Sequence, residues 1–212
     1  MVYNPLIPHR LKILPPQLNF KDDNFIEAVI KARAEIAELK GYSASIPNQI
    51  ILLSPAIIKE SLASSEIENI NTTIINVLEN QLFSEAEQRI PDKEVLRYRD
   101  AVIEGFESLE KFSVSTRTIL SVQKALIPGG RGAYRDLQVG IKNNKSGEIV
   151  YMPPEASKIS DLMKNLESFI HTKDKFDPLI KGAIMHYQFE AIHPFPDGNG
   201  RTGRILMVLY FV

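Results

Sequence analysis

HPFPDGNGRTGR, residues 193–204, decides how the second half of the chain folds. The helix-patterned segment before it, about 178–191, ends in FEAI. Pro194 and Pro196 forbid its continuation, because proline lacks a backbone N–H and pushes the preceding residue out of helical backbone. Gly198-Asn199-Gly200 then turns the chain, and the run ILMVLYFV reads as a new helix starting near Gly200. Glycines in such a turn permit positive φ and close approach of a ligand, so consecutive N–H groups can converge on a small concavity at a helix N-terminus. The helix dipole and the open N–H groups favour phosphate there. Arg201 and Arg204 add charge-assisted contacts to further phosphate oxygens.

Asp197 lies inside this loop, where a carboxylate repels a phosphate chain unless a divalent cation stands between them. One carboxylate with substrate phosphates and water is the usual way Mg²⁺ is held. His193, at the loop entrance, is a natural general base, because imidazole ordinarily titrates near neutral pH. Together these parts point to phosphoryl or nucleotidyl transfer. His186 and Glu190 are four residues apart on one helix face and read as packing and hydrogen-bonding residues rather than metal ligands. His9 and His171 are assigned no role.

The 212 residues suffice for one sizeable core with an added lobe, and no cysteine is present to form disulfides or thiolate metal sites. A net charge of -1 with 44% hydrophobic residues argues against nucleic acid as a partner of this chain. The N-terminus is broken by prolines and lacks a signal-peptide core, so cytoplasm is the default compartment. The longest apolar run is far short of the roughly 20 residues that span a bilayer, so no membrane is expected.

Along the chain, helix signals dominate. Asp22 or Asp23 caps a helix with Phe25, Val29, Ala32, Ile36 and Leu39 on one side and Gly41 as its stop. Ser54-Pro55 reads as a cap and first-turn proline leading into AIIKESLASSEIENI. A third helix follows Asn71, with Ile74, Val77, Leu78 and Leu82 inward. Pro91-Asp92 starts a longer one carrying Val95, Tyr98, Val102, Phe106 and Leu109, and Ser115 caps another that ends at IPGGRG. The period then changes: LQVGIKNN and GEIVYMPP flank a Lys-Ser-Gly turn and predict one β-hairpin. A helix over about 157–171 precedes the one that ends in FEAI. The last helix is still apolar at Val212, which leads to the expectation that the natural protein continues.

The stretch 193–204 resembles the active-site loop of the Fic (filamentation-induced-by-cAMP) proteins, H-P-F-x-D/E-G-N-G-R-x-x-R, with no departure. The resemblance implies a mainly helical, all-α Fic fold with one β-hairpin flap. It divides the chain into an N-terminal helical lobe (1–90) and a Fic core (91–212) that carries the flap (about 134–153) and the loop, with its C-terminus truncated. It also implies protein adenylylation: His193 deprotonates a Ser, Thr or Tyr hydroxyl of a target protein, the chain itself included, and AMP is taken from ATP with Mg²⁺ held by Asp197. Gly198, Asn199 and Gly200 would form the anion hole, Arg201 would contact the phosphates and Arg204 the γ-phosphate. Ile149, Val150 and Tyr151 are the flap residues expected to align the target by strand addition.

A second motif, SSEIEN, is similar to the inhibitory helix of one Fic subgroup, S/T-x-x-x-E-G/N, here Ser64, Glu68 and Asn69 on a helix over about 55–69. A glutamate docked beside the anion hole would pair with Arg204 and displace the γ-phosphate. Glu66 is read as a structural carboxylate. The family often forms dimers, so a homodimer is a candidate partner. Alternatives are a Fic-type transferase with another donor, removal of AMP, or an ATP-sensing interaction protein from which a winged-helix segment is missing.

Overall fold

A computed structural model of the chain describes residues 4–18, 22–46, 50–84, 87, 89–130, 132–143 and 145–212, with backbone alone at 50–54. In chain order the described elements are α1 (Asp23–Ala44), α2 (Ile50–Ile67), α3 (Ile74–Asn80), α4 (Ile90–Leu109), α5 (Thr116–Leu126), β1 (Ile141–Lys142), β2 (Ile149–Tyr151), α6 (Ile159–His171), α7 (Pro178–Ile192) and α8 (Asn199–Tyr210). A single 3-10 turn, Ala156–Lys158, leads into α6. Helices with one small antiparallel hairpin are the architecture that the sequence predicts.

Side-chain caps fix several of the starts. Asp22 accepts from the Phe25 N–H, Thr73 from Asn76 and Ser115 from Thr118, each satisfying a first-turn donor that has no carbonyl four residues back. Three expectations are revised. Gly41 does not stop α1, since an interior glycine costs only about 1 kcal/mol, and the helix runs on to Ala44, where the Ser45 N–H bonds the Tyr42 and Ser43 carbonyls. No residue of α1 is fully buried; of its predicted apolar side, Val29 and Ala32 are half-buried and Phe25, Ile36 and Leu39 are exposed. In α2 the helix starts at Ile50, and Pro55 lies inside it, at the cost of one hydrogen bond; the side chain of Ser54, the predicted cap, lies outside the described residues. α3, predicted to follow Asn71, begins at Ile74 with Thr73 as its cap, and of the four predicted inward residues Val77 alone is buried. Ile74, Leu78 and Leu82 remain exposed, and Leu82 falls past the helix end.

The chain divides into two compact units, and the division falls within α4 and α7. One comprises Gln17–Arg99 and Phe176–Lys181. Its core packs Leu62 of α2 against Val77, Val95 and Leu96. Beside it lies a buried carboxylate: Asp92 is fully enclosed and takes Arg89 Nε at 2.8 Å and Nη2 at 3.1 Å, with the Thr72 hydroxyl and the Asn80 amide as further donors. A buried charge is tolerated only with such saturation.

The other unit comprises Met1–Pro16, Asp100–Lys175 and Gly182–Val212. Leu126, Leu166, Met185, Phe189 and Ile205 are fully buried and bring α5, α6, α7 and α8 together. Glu167 of α6 accepts from both the backbone N–H (2.9 Å) and the hydroxyl (2.5 Å) of Thr116, which joins α6 to the start of α5. The extended N-terminal segment packs here as well: Asn165 exchanges two hydrogen bonds with the backbone of Leu14, at 2.7 and 3.0 Å, and Gln188 donates to the Lys12 carbonyl at 3.0 Å. Among the described residues, no helix is long and apolar enough to cross a membrane.

Asp92→Ala leaves the Asn80 amide and the Thr72 hydroxyl without their acceptor. It is expected to lower unfolding free energy by about 2 kcal/mol in guanidinium denaturation, whereas Arg89→Ala, at an exposed side chain, is expected to cost clearly less.

Candidate active site

The loop between α7 and α8 is built from two left-handed residues and one side-chain lock. His193 still donates its N–H to the Phe189 carbonyl at 3.0 Å, as a helical residue would, and then turns to φ +50°. A non-glycine residue in this region is strained by about 1 kcal/mol, and the following proline excludes the helical alternative. Phe195 is fully buried, its ring 6.3 Å from that of Phe189 and 5.8 Å from that of Tyr134. The side chain of Asn199 closes the loop: its Oδ1 accepts from the Phe195 N–H and its Nδ2 donates to the Phe195 carbonyl, both at 2.8 Å. Asn199 is therefore spoken for through its side chain, and only its backbone is available to an anion.

Gly198 precedes the first residue of α8 at φ +77° and offers no side chain to cap it. A Cβ at this position would stand 2.8 Å from Ile127 Cδ1 as well as being conformationally strained. The first intrahelical bond runs from the Thr202 N–H to the Gly198 carbonyl at 2.9 Å. The N–H groups of Asn199, Gly200 and Arg201 precede it, in the turn where a helix has no internal acceptors. These N–H groups lie at the helix terminus where the sequence predicts an anion, and Arg201, buried, and Arg204, half-buried, lie one turn apart on α8.

Asp197 is exposed, and its Oδ1 accepts from the Gly198 N–H at 2.6 Å. That bond orients the carboxylate and leaves its second oxygen for a cation. Among the described residues, no group of three or more His, Cys, Asp or Glu side chains is gathered to hold a metal. The donor set thus fits Mg²⁺ bound by one carboxylate and completed by phosphate oxygens and water.

Gly203 is the first element that the sequence reading missed. It lies in the interior of α8, where α7 crosses so closely that a Cβ would stand 2.1 Å from Glu190 Oε1 and 3.0 Å from Phe189 Cδ1. His186 Nδ1 is 3.2 Å from the Gly203 carbonyl. His186 and Glu190 accordingly sit at a helix crossing, as their reading as packing residues predicts. The signal for Gly203 was present in the sequence, as a glycine within an otherwise helical pattern.

The hairpin pairs Ile141 with Tyr151 and Lys142 with Ile149 across an irregular register, and its strands are shorter than the sequence pattern predicts. The turn absorbs the difference: Asn143 Oδ1 accepts from the Lys145 and Ser146 N–H groups, and Gly147 adopts φ +72°. Of the three predicted flap residues, Val150 is 46% exposed, while Ile149 and Tyr151 are half-buried. Ile149 packs on Gly140. Tyr151 turns inward, its hydroxyl donating to the Ala191 carbonyl at 2.8 Å and its ring 5.7 Å from that of His9. Two neighbours that the sequence did not single out complete the surroundings. Burial pushes the Tyr134 phenol up from its ordinary value, and the charge of Glu167 adds to the shift. Arg135 is buried and bonded to the loop itself.

In the N-terminal unit, Ser64 is buried and Glu68 is exposed. The α2 helix ends at Ile67, two residues before the predicted boundary. The Ile70 N–H reaches the Ser65 carbonyl at 3.0 Å and the Asn69 N–H reaches Glu66 at 2.9 Å, with Asn69 at φ +62°. This is a Schellman end, in which glycine or asparagine takes the left-handed position. The G/N of the motif is thereby explained as the residue that terminates the helix directly after Glu68.

Comparison with known proteins agrees with this geometry. Residues 113–211 match the Fic/DOC family and residues 26–107 match the Fic/DOC family N-terminal region. The two matches together take in most of the sequence, and the chain belongs to the Fic/DOC family. A curated relative from Aedes aegypti, protein adenylyltransferase Fic, is 33% identical over 44% of this chain and 19% of its own length. Another of the same name from Nematostella vectensis is 23% identical over 96% of this chain and 49% of its own length. The chain thus spans about half or less of these relatives. The crystal structure of a Fic family protein from Desulfovibrio desulfuricans superposes with a TM-score of 0.70 at 28% identity, covering 93% of this chain and 59% of that one.

Gly203→Ala is expected to lower stability by about 1–3 kcal/mol through overpacking. Much of the loss is expected to return in Gly203→Ala/Glu190→Ala, because the two sites share one contact; thermal melts of the four chains in this cycle check it.

Proposed function

We propose that the chain is a protein adenylyltransferase that moves AMP from Mg²⁺-ATP to a Ser, Thr or Tyr hydroxyl of a target protein, itself included. The observation that supports this reading best is the loop 193–204, where a histidine directly after α7 shares one short turn with a helix N-terminus that has no side-chain cap and whose first turns carry two arginines. The adenylyltransferase names of its relatives support the same reading. The division of labour, with a regulatory lobe over 1–90 and the transfer site in 91–212, is part of the proposal.

In this mechanism the phosphates of ATP rest on the open N–H groups of Asn199, Gly200 and Arg201, while Gly198, whose own N–H is held by Asp197, shapes the turn; the Arg201 side chain lies on the phosphate chain and Arg204 on the γ-phosphate. Preorganised donors of this kind stabilise developing charge without reorganising during the reaction. His193 takes the proton of the target hydroxyl as its oxygen bonds to the α-phosphorus, and the bond from that phosphorus to the bridging oxygen breaks to release pyrophosphate. Asp197 would hold the Mg²⁺, which would neutralise charge on the phosphates. Val150, outward on β2, is the flap position best exposed to an added strand of the target. Glu68 restrains the reaction by competing with the γ-phosphate for Arg204, and Ser64 and Asn69 shape the helix end that presents it.

With radiolabelled ATP and the chain itself as acceptor, His193→Ala is expected to lose at least about a hundredfold in labelling rate. Asp197→Ala is expected to label weakly and to need more Mg²⁺. Glu68→Gly is expected to label more strongly than wild type, and equal labelling would remove the restraint from the mechanism. Mass spectrometry of the product, with the adduct mass of an adenylyl group, checks the donor.

A further inference from the structure

Arg135 makes four hydrogen bonds, all to backbone carbonyl oxygens. Its Nε donates to His193 at 2.9 Å, its Nη1 to Leu137 at 3.0 Å and its Nη2 to Pro154 at 2.6 Å, while its backbone N–H donates to Pro194 at 2.8 Å. Leu137 precedes β1 and Pro154 follows β2, so two arms of the guanidinium close the base of the hairpin and the third holds the histidine of the loop. Gln138 adds a second latch at the same base, donating to the Pro153 carbonyl at 2.8 Å.

This arginine is 4% exposed, and burial pushes it down from the ordinary arginine range, with Tyr151 acting against that. Retaining a guanidinium in such a place costs desolvation, which a neutral residue would avoid. What the guanidinium uniquely supplies is a planar fork of donors with fixed angles. Here that fork spans segments 58 and 19 residues away in sequence. It also bonds the carbonyl of His193, the residue held at φ +50°. Strain of that kind persists where surrounding bonds over-determine it.

We propose that Arg135 is a positioning residue for the transfer reaction, fastening the base of the hairpin and the strained backbone of His193 into one fixed relation. The proposal rests on the adenylyl-transfer reading for its kinetic consequence, but not for its structural one. A target strand laid on the hairpin and a base at His193 must meet within a few tenths of an ångström, and misplacement by about 1 Å can cost about a hundredfold in rate. Lysine keeps the charge at this position but brings one nitrogen, which cannot reach three carbonyls in a plane.

The test uses the full chain with Arg135→Lys and Arg135→Gln, each in the wild-type and Glu68→Gly backgrounds. Self-labelling from radiolabelled ATP is expected to slow by about tenfold to a hundredfold at saturating Mg²⁺-ATP, with the ATP concentration for half-maximal rate unchanged within about threefold. Amide hydrogen exchange is expected to quicken at residues 137–154 and 193–198 and to stay at the wild-type level in α5 and α6. Exchange that remains at the wild-type level overturns the clamp, and a wild-type labelling rate despite faster exchange overturns the positioning role. Loss of the helical circular dichroism signal in both variants likewise overturns it, in favour of a residue that merely holds the fold. If the parent chain labels nothing in either background, the transfer reading fails while the exchange measurement still decides the clamp.

Discussion

Everything at the site depends on a reversal of direction between two buried helices within six residues, from Ile192 to Asn199. Such a turn would carry unsatisfied backbone groups into the core unless something bonded them. Asn199 answers this by imitating a strand partner, its amide giving and receiving one hydrogen bond at Phe195. Phe195 supplies the apolar counterpart, a fully buried ring between Phe189 and Tyr134. A polar lock and an apolar plug thus act on the same residue. The loop's left-handed ends at His193 and Gly198 then place an imidazole residue and an open helix terminus in the same short turn.

Around this turn, the ties that reach furthest in sequence end on backbone carbonyls. Tyr151 bonds Ala191, Gln188 bonds Lys12, and Arg135 bonds His193 and Pro154. A carbonyl is present whatever the residue, so these bonds constrain the path of the chain and leave the contacted side chains free to vary. The exposed Val150 beside the inward Tyr151 illustrates the result: one strand residue anchors the hairpin while its neighbour faces solvent. A binding edge that tolerates varied partner sequences has the same need, since main-chain pairing is its source of affinity.

The N-terminal unit follows a different logic. Among its described residues, Val77, Val95 and Leu96 pack with Leu62, and Asp92 is a saturated buried carboxylate. The Schellman end at Asn69 stops α2 directly after an exposed glutamate. A helix that terminates sharply presents its last side chain in a defined direction, which suits a residue proposed to meet an arginine.

Short-range patterns were enough to read most of this protein. The prolines, glycines and arginines of 193–204 announce the loop and its anion chemistry because each acts on its own backbone or on the next turn, and the caps at Asp22 and Ser115 are equally local. The limits of α1 and α2 were misjudged where a local signal, Gly41 or Pro55, was weaker than the helix around it. Gly203 was visible as a glycine but not as a crossing point, since the helix it meets is known only after packing. Arg135 had no signature at all, because a lone arginine in a hairpin flank looks like any surface cation until the fold buries it. What long-range packing settled was which polar groups lost their water, and that loss compels a side chain such as Arg135 to find partners far away in sequence.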